Sequence, residues 1–193
     1  MKTITTLFYA ASILTLTACG GGGGGTPPPP PPTTYATALA YQNPAGSGYR
    51  LVQNAGASTA THLVLDLVGP SGTQGKGVAI FLSADGAKVS WVHPSGASGH
   101  LLAGGVFPLG TAPQLLKDKV EGGLLQAGVF QKGGSATTLG AAPLLSLALD
   151  LKGSTVAQGA VSLAPQSGKQ AVLLAADDSL TPITINVGTL NAQ

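Results

Sequence analysis

The chain has 193 residues, of which only 8% are charged and 44% are hydrophobic, and its formal net charge is +2. This balance predicts no basic surface for nucleic acid and no lysine cluster for anionic lipid headgroups. The single cysteine excludes an intramolecular disulfide, and the chain is long enough to bury a hydrophobic core without one.

The first eighteen residues have the pattern of a secretion signal. A basic start precedes an apolar run over residues 4–16, which is too short for a transmembrane helix, and small residues follow it. Residues 16–19, Leu-Thr-Ala-Cys, resemble the lipobox of bacterial lipoproteins, which implies cleavage before Cys19 and acylation of that cysteine. By the same resemblance, Gly20 in place of a retention aspartate implies an outer-membrane lipoprotein that faces the periplasm or the cell surface.

Residues 19–34 form a linker between the lipidated cysteine and the folded domain. Its six consecutive glycines favour a flexible coil, and its six consecutive prolines favour an extended polyproline helix. Such a linker either holds the domain away from the bilayer or fills a gap in which nothing packs. We therefore divide the chain into a signal peptide (1–18), a lipidated linker (19–34) and one domain (35–193).

The domain is predicted to be all-β. In residues 144–152, leucines alternate with Ser146, Ala148 and Asp150, which is typical of an antiparallel strand with one buried and one solvated face. Leu63, Leu65 and Leu67 follow the same rhythm, as do Ile183, Ile185 and Val187. Further strands are predicted over 36–42, 49–54, 124–131, 159–164 and 170–176. Strands at this spacing, separated by Gly, Pro and Ser, favour an antiparallel two-sheet β-sandwich.

Two local signals add detail to this prediction. Asp85-Gly86 lies between the apolar segments 78–84 and 87–92, a pattern that predicts a hairpin. Residues 112–123 carry a proline at a plausible first helical position, Leu115, Leu116 and Val120 at helical spacing, and glycine where a helix would end. We therefore expect one short helix there.

The residues that carry catalysis or bind metals are sparse. Glu121 is the only glutamate, and no pair of carboxylates is singled out for glycoside hydrolysis. The three histidines are too scattered for a zinc site, and neither a nucleophile elbow nor a phosphate loop occurs. Asp177-Asp178 either holds a calcium ion or forms a solvated turn, and the sequence favours the turn. The sequence predicts no enzyme, no cofactor and no metal.

The aromatic residues allow two interpretations, sugar stacking or ordinary packing. Trp91 alternates in phase with Val89, which favours the core over an exposed sugar platform. Tyr35, Tyr41 and Tyr49 are expected at a sandwich edge with the ring buried and the hydroxyl in water.

Over residues 60–190, the order of strands and turns resembles that of cohesin domains and the related carbohydrate-binding sandwich modules. The resemblance lies in hydrophobic rhythm and turn placement, at "FLSAD", "VFQKGG" and "LALDLKGS". It implies a jelly roll of about nine strands. It also implies that the outer face of one sheet binds a partner, either a protein module or a polysaccharide.

The candidate partner-binding residues follow from the phase of strand 78–83. If Val78, Ile80 and Leu82 point inward, then Ala79, Phe81 and Ser83 lie on the outer face, which is more apolar than the pattern for dockerin binding. Phe130 either joins them or points inward, because Leu125, Ala127 and Val129 form an equally apolar set. Alternatively, the 92–122 connection covers Phe81, which then belongs to a second small core.

The sequence thus predicts a lipid-anchored outer-membrane protein with a cohesin-like recognition module for a protein or polysaccharide. The alternative is a structural accessory lipoprotein of an envelope machine, such as a secretion or pilus system.

Overall fold

The computed structural model describes residues 32–107, 115–131 and 135–193. The predicted signal peptide 1–18, Cys19 and the linker up to residue 31 lie outside the described residues. Thr33–Gln193 forms one compact unit. Its described residues are strands, turns and irregular backbone, and they include no helix that could cross a membrane.

The described residues form fifteen strands, more than the nine expected, because several are pieces of only two or three residues. They are β1 (Leu39–Gln42), β2 (Arg50–Gln53), β3 (His62–Val68), β4 (Gln74–Ala84), β5 (Val89–Val92), β6 (Leu102–Ala103), β7 (Leu115–Glu121), β8 (Leu124–Phe130), β9 (Thr137–Thr138), β10 (Leu145–Leu151), β11 (Gly159–Val161), β12 (Leu163–Pro165), β13 (Ala171–Ala175), β14 (Leu180–Ile183) and β15 (Thr189–Ala192).

The strands form three sheets, and their pairings are antiparallel. A five-stranded sheet has the order β2-β3-β10-β5, with β6 also on β10. A seven-stranded sheet has the order β14-β13-β4-β8-β7, with β9 and β12 also on β4. A smaller sheet has the order β1-β15-β11. The all-β antiparallel sandwich predicted from the sequence is confirmed.

The core lies between the five-stranded and seven-stranded sheets. Alternate positions of β3 and β10 meet alternate positions of β4 and β8 in one hydrophobic cluster. Its central members are at most 4% exposed: Leu63, Leu65, Leu67, Leu145, Leu147, Leu149, Val78, Ile80, Leu82, Leu125, Ala127 and Val129. The inward phases predicted for β3, β4 and β10 are therefore confirmed.

The opposite face of β3 and β10 is not the solvated face that the alternation predicts. Val64, Asp66, Ser146 and Ala148 are all less than 9% exposed. The hydroxyl of Ser146 donates to Asp66 Oδ1 at 2.6 Å, and the Asn54 amide donates to Asp66 Oδ2 at 3.0 Å. A buried carboxylate needs such partners because its desolvation is otherwise costly.

The hairpin predicted at Asp85-Gly86 is wrong, because β4 and β5 belong to different sheets. Gly86 does not adopt a positive φ. The N–H of Ala87 donates to Asp85 Oδ1, and the N–H groups of Lys88 and Val89 donate to the Asp85 carbonyl, each at 3.0 Å. These bonds close a longer turn that carries the chain from one sheet to the other.

The helix predicted over 112–123 is also wrong where the structure describes it, because Leu115–Glu121 is strand β7; residues 112–114 lie outside the described part. β7 pairs with β8 from Leu115↔Phe130 to Glu121↔Leu124. The two strands turn at Gly122, whose φ of +60° favours glycine. A helix would forgo the hydrogen bonds that β7 makes to β8, so the pairing overrides the helical spacing.

Candidate functional site

The outer face of the seven-stranded sheet carries the residues that the sequence singled out. Ala79, Phe81 and Ser83 on β4 are partly exposed, whereas the residues between them are fully buried. Phe81 lies outside the main core cluster and borders two surface depressions. The alternative, that the 92–122 connection covers Phe81, involves residues 108–114, which lie outside the described part of the chain.

Phe130 lies on the same outer face, which resolves its ambiguous phase. Leu125, Ala127 and Val129 on β8 are buried, whereas Phe130 is partly exposed. Its ring lies against Gly77 and Gly128: a Cβ at Gly77 would collide with the ring, and a Cβ at Gly128 would be 3.1 Å from Phe130 Cε2. Two glycines on adjacent strands therefore make room for one aromatic ring.

A depression of about 330 Å³ opens beside the Phe130 ring. Ala79 on β4 pairs with Gly128 on β8, and these two small residues line it together with Phe81 and Phe130. A smaller depression of about 170 Å³ lies where Phe81 approaches Pro165 and Lys169. Phe81 therefore lies between two shallow depressions, of which the larger is mainly apolar and the smaller is mixed.

Strand β7 adds two lysines that the sequence analysis missed. Lys117 pairs with Gly128, and Lys119 pairs with Gln126, so both lysines border the larger depression. Both are exposed. The predicted helix would place Lys117 and Lys119 on different sides, whereas the strand places both on the same side.

His100 fastens the loop before β7 to the edge of the sheet. Asp118 Oδ2 accepts hydrogen bonds from the His100 backbone N–H at 2.9 Å and lies 2.7 Å from His100 Nδ1. The ring of His93 meets that of His100 edge-on, with centroids 4.6 Å apart. Partial burial alone would raise the pKa of Asp118, but the bonds to His100 and the positive potential of both histidines lower it.

The described residues contain no group of three His, Cys, Asp or Glu side chains arranged to hold a metal. At Asp177-Asp178, where calcium was one possibility, Asp177 Oδ1 instead accepts the Ser179 hydroxyl at 2.6 Å and the Ser179 N–H at 3.1 Å. These hydrogen bonds lower the pKa of Asp177. Asp178 has a φ of 65° and pairs with Lys76 at 2.8 Å. This geometry is that of a solvated turn.

The single tryptophan lies in the core, as predicted. Trp91 is 5% exposed, and its Nε1–H donates to the Gly123 carbonyl at 2.9 Å. Gly123 belongs to the turn between β7 and β8, so this bond joins the two sheets. The only tryptophan in the chain is therefore not available as an exposed sugar platform.

The tyrosines differ from the expectation of a buried ring with a hydroxyl in water. The Tyr41 hydroxyl forms two hydrogen bonds with the backbone. It donates to the Leu51 carbonyl at 3.1 Å and accepts from the Gly188 N–H at 2.7 Å. The Tyr49 hydroxyl is buried and has no hydrogen-bond partner among the described residues. Burial raises the pKa of both groups. Tyr35 is 50% exposed.

Comparison with known proteins identifies solved structures with a similar fold. No protein-family model and no curated protein matches the chain. A chain of a type II cohesin–X-dockerin complex from Acetivibrio cellulolyticus is 8% identical at a TM-score of 0.55, and the match covers 74% of this chain and 95% of that one. The second type II cohesin module of a cellulosomal adaptor scaffoldin from the same organism is 10% identical at a TM-score of 0.51, covering 73% and 92%. The domain is therefore a cohesin-like β-sandwich.

Proposed function

We propose that the chain is a membrane-anchored lipoprotein whose cohesin-like domain recognises a protein partner through the outer face of its seven-stranded sheet. We call this surface the docking face and define it by Ala79, Phe81, Ser83 and Phe130, with Lys117 and Lys119 beside them. One observation carries the proposal: two phenylalanines lie partly exposed on the outer face of a regular sheet.

Exposed aromatic residues of this kind are the usual anchors of protein interfaces. Phe81 and Phe130 project from paired strands, and the backbone beneath them is fixed by the continuous β4–β8 ladder from Gly77↔Phe130 to Ser83↔Leu124. A partner that covers the two rings would remove apolar surface from water without first ordering the sheet. The similar type II cohesin complex also pairs a sandwich of this fold with a protein module.

The anchor and the location complete the proposal. Acylation of Cys19 would attach the domain to the outer membrane, and the linker to residue 34 would hold it above the bilayer. Replacing Cys19 with alanine should abolish fatty-acid labelling of the protein in cells, because the chain has no other thiol. Equal labelling of the two proteins would contradict lipidation.

Site-specific photo-cross-linking in the native host tests the docking face. A photoreactive phenylalanine at Ala79 should give a discrete protein adduct, and the same group at Thr189, which is exposed on the smaller sheet, should not. Adding Phe81→Ser should remove the adduct while leaving the melting temperature nearly unchanged. A protein without the adduct at residue 79, or with the same adduct at residue 189, contradicts the proposal.

The identity of the cross-linked protein separates the recognition role from the alternative accessory role. A partner outside any envelope machine fits a recognition module, and a secretion or pilus subunit fits an accessory lipoprotein. Protease treatment of intact cells then reports whether the domain faces the periplasm or the cell surface.

A further inference from the structure

The larger depression on the docking face has an apolar floor and a charged border. Small residues form the floor because Gly128 lies opposite Ala79, with 3.6 Å between the Ala79 Cβ and a Cβ placed on Gly128. Phe81 and Phe130 also line this depression. Its volume of about 330 Å³ suits one apolar side chain rather than a folded element.

Three charged side chains of β7 line the border: Lys117 and Lys119 are cationic, and Asp118 is anionic. Among the described residues, no carboxylate forms a salt bridge with Lys117. Lys119 bonds Glu121 at 3.0 Å, but the two side chains are 66% and 74% exposed, so this pair is weak and readily exchanged. The remaining carboxylate of β7, Asp118, is already bonded to His100. The border therefore has positive charge available for a partner.

We infer that the partner segment places an apolar side chain between Phe81 and Phe130 and a carboxylate beside it, within reach of Lys117 and Lys119. This inference rests on the proposed function and adds the chemistry of the protein that docks. The apolar side chain fills the floor, and the carboxylate accepts hydrogen bonds from the lysine ammonium groups. Charge complementarity of this kind gives orientation and association rate more than raw affinity.

Three small probes test this chemistry on the purified full-length protein by saturation-transfer NMR. They are 3-phenylpropionate, its neutral amide and 3-phenylpropylamine, which share one aromatic ring and differ in charge. The carboxylate should bind about threefold to fivefold more tightly than the amide, as expected for an exposed ion pair. The amine should bind more weakly than the amide. Equal binding of all three probes, or tightest binding of the amine, overturns the inference.

Paired substitutions locate the effect. Lys117→Gln with Lys119→Gln should reduce carboxylate binding to the level of the amide and leave amide binding unchanged. The control pair, Lys88→Gln with Lys152→Gln, should change neither, because these ammonium groups donate to the carbonyls of Ala160 and Gly86 instead. If the control pair has the same effect as the first pair, the preference reflects net charge and the inference is wrong.

Three further outcomes distinguish this inference from lipid binding and from the proposed docking function. Binding to phosphatidylglycerol vesicles that falls with Lys117→Gln and Lys119→Gln would identify a lipid surface as the occupant and overturn the inference. An adduct at residue 79 with no carboxylate preference would leave the proposed docking function standing and remove only the acidic partner. Loss of that adduct, with the carboxylate preference retained, would contradict the docking function itself.

Discussion

The outer faces of the two large sheets differ in how exposed their outward-pointing side chains are. On β3 and β10, the central ones, Val64, Asp66, Ser146 and Ala148, are buried, and Asp66 accepts hydrogen bonds from Ser146 and from Asn54 beside the sheet. On β4 and β8, the outward side chains of Ala79, Phe81, Ser83 and Phe130 are partly exposed. An alternating strand thus specifies its inner face clearly, while the neighbouring strands determine the role of its other face.

The largest expected effect on stability comes from substitutions in the hydrophobic core that the two sheets share. Leu147→Ala on β10 and Leu82→Ala on β4 should each lower the free energy of unfolding by about 2–5 kcal/mol, because both side chains are completely buried in the same cluster. Chemical denaturation measures both. A loss below about 1 kcal/mol for either leucine would show that its sheet does not pack against the other as described.

A pair of serine substitutions separates the outer faces directly. Ser146→Ala should cost about 1–3 kcal/mol, because it removes a donor from the buried Asp66 carboxylate. Ser83→Ala should cost no more than about 0.5 kcal/mol, because Ser83 is partly exposed and its bond to the Ala164 carbonyl is 3.5 Å long. Equal costs in chemical denaturation would remove the distinction between the faces.

Phe81→Ser should destabilise the domain by about 1 kcal/mol or less, since the ring lies outside the core cluster. Calorimetry of the variant beside wild type gives the change in melting temperature. A loss as large as that of Leu82→Ala would mean that Phe81 stabilises the sandwich, and the docking face would then have to lie elsewhere.

The smallest effect depends on pH and concerns the edge of the seven-stranded sheet. The pKa of Asp118 is lowered in the folded state, so its contribution to stability is present above the ordinary aspartate pKa and is lost as the pH falls through the lowered value. Asp118→Asn lacks this contribution. The difference in stability between wild type and variant should therefore shrink as the pH falls below about 4.

Thermal denaturation of the two proteins between pH 7 and pH 3 measures that difference. We expect it to remain below about 1 kcal/mol throughout, because the ion pair is near the surface. A difference that grows as the pH falls from 4 to 3 would show that the Asp118 carboxylate does not stabilise the folded state.

The sequence predicted the inward phases of β3, β4 and β10 because a period of two is a local property that leucine and valine display directly. It did not predict β7, where Leu115, Leu116 and Val120 also fit a helix, and where pairing with β8 decides the structure. Pairing partners are non-local, so propensity and spacing within one segment do not contain them.

The candidate site shows the same limit. The outward position of Phe81 followed from its own strand, but the depression beside it depends on Gly128 lying opposite Ala79 and on Gly77 lying beneath the Phe130 ring. Those neighbours are about fifty positions apart in the chain. Only the register between β4 and β8 brings them together, and that register is a property of the folded sheet.

The bond from Trp91 Nε1 to the Gly123 carbonyl has a spectroscopic consequence. Because the chain contains one tryptophan, its emission comes from a single indole held between the two sheets. Separation of the sheets would expose this indole to water and shift its emission to longer wavelength, whereas backbone circular dichroism reports the strands themselves. If the two signals change together, the sandwich unfolds as one cooperative unit. If the emission shifts first, the sheets separate before their strands lose structure.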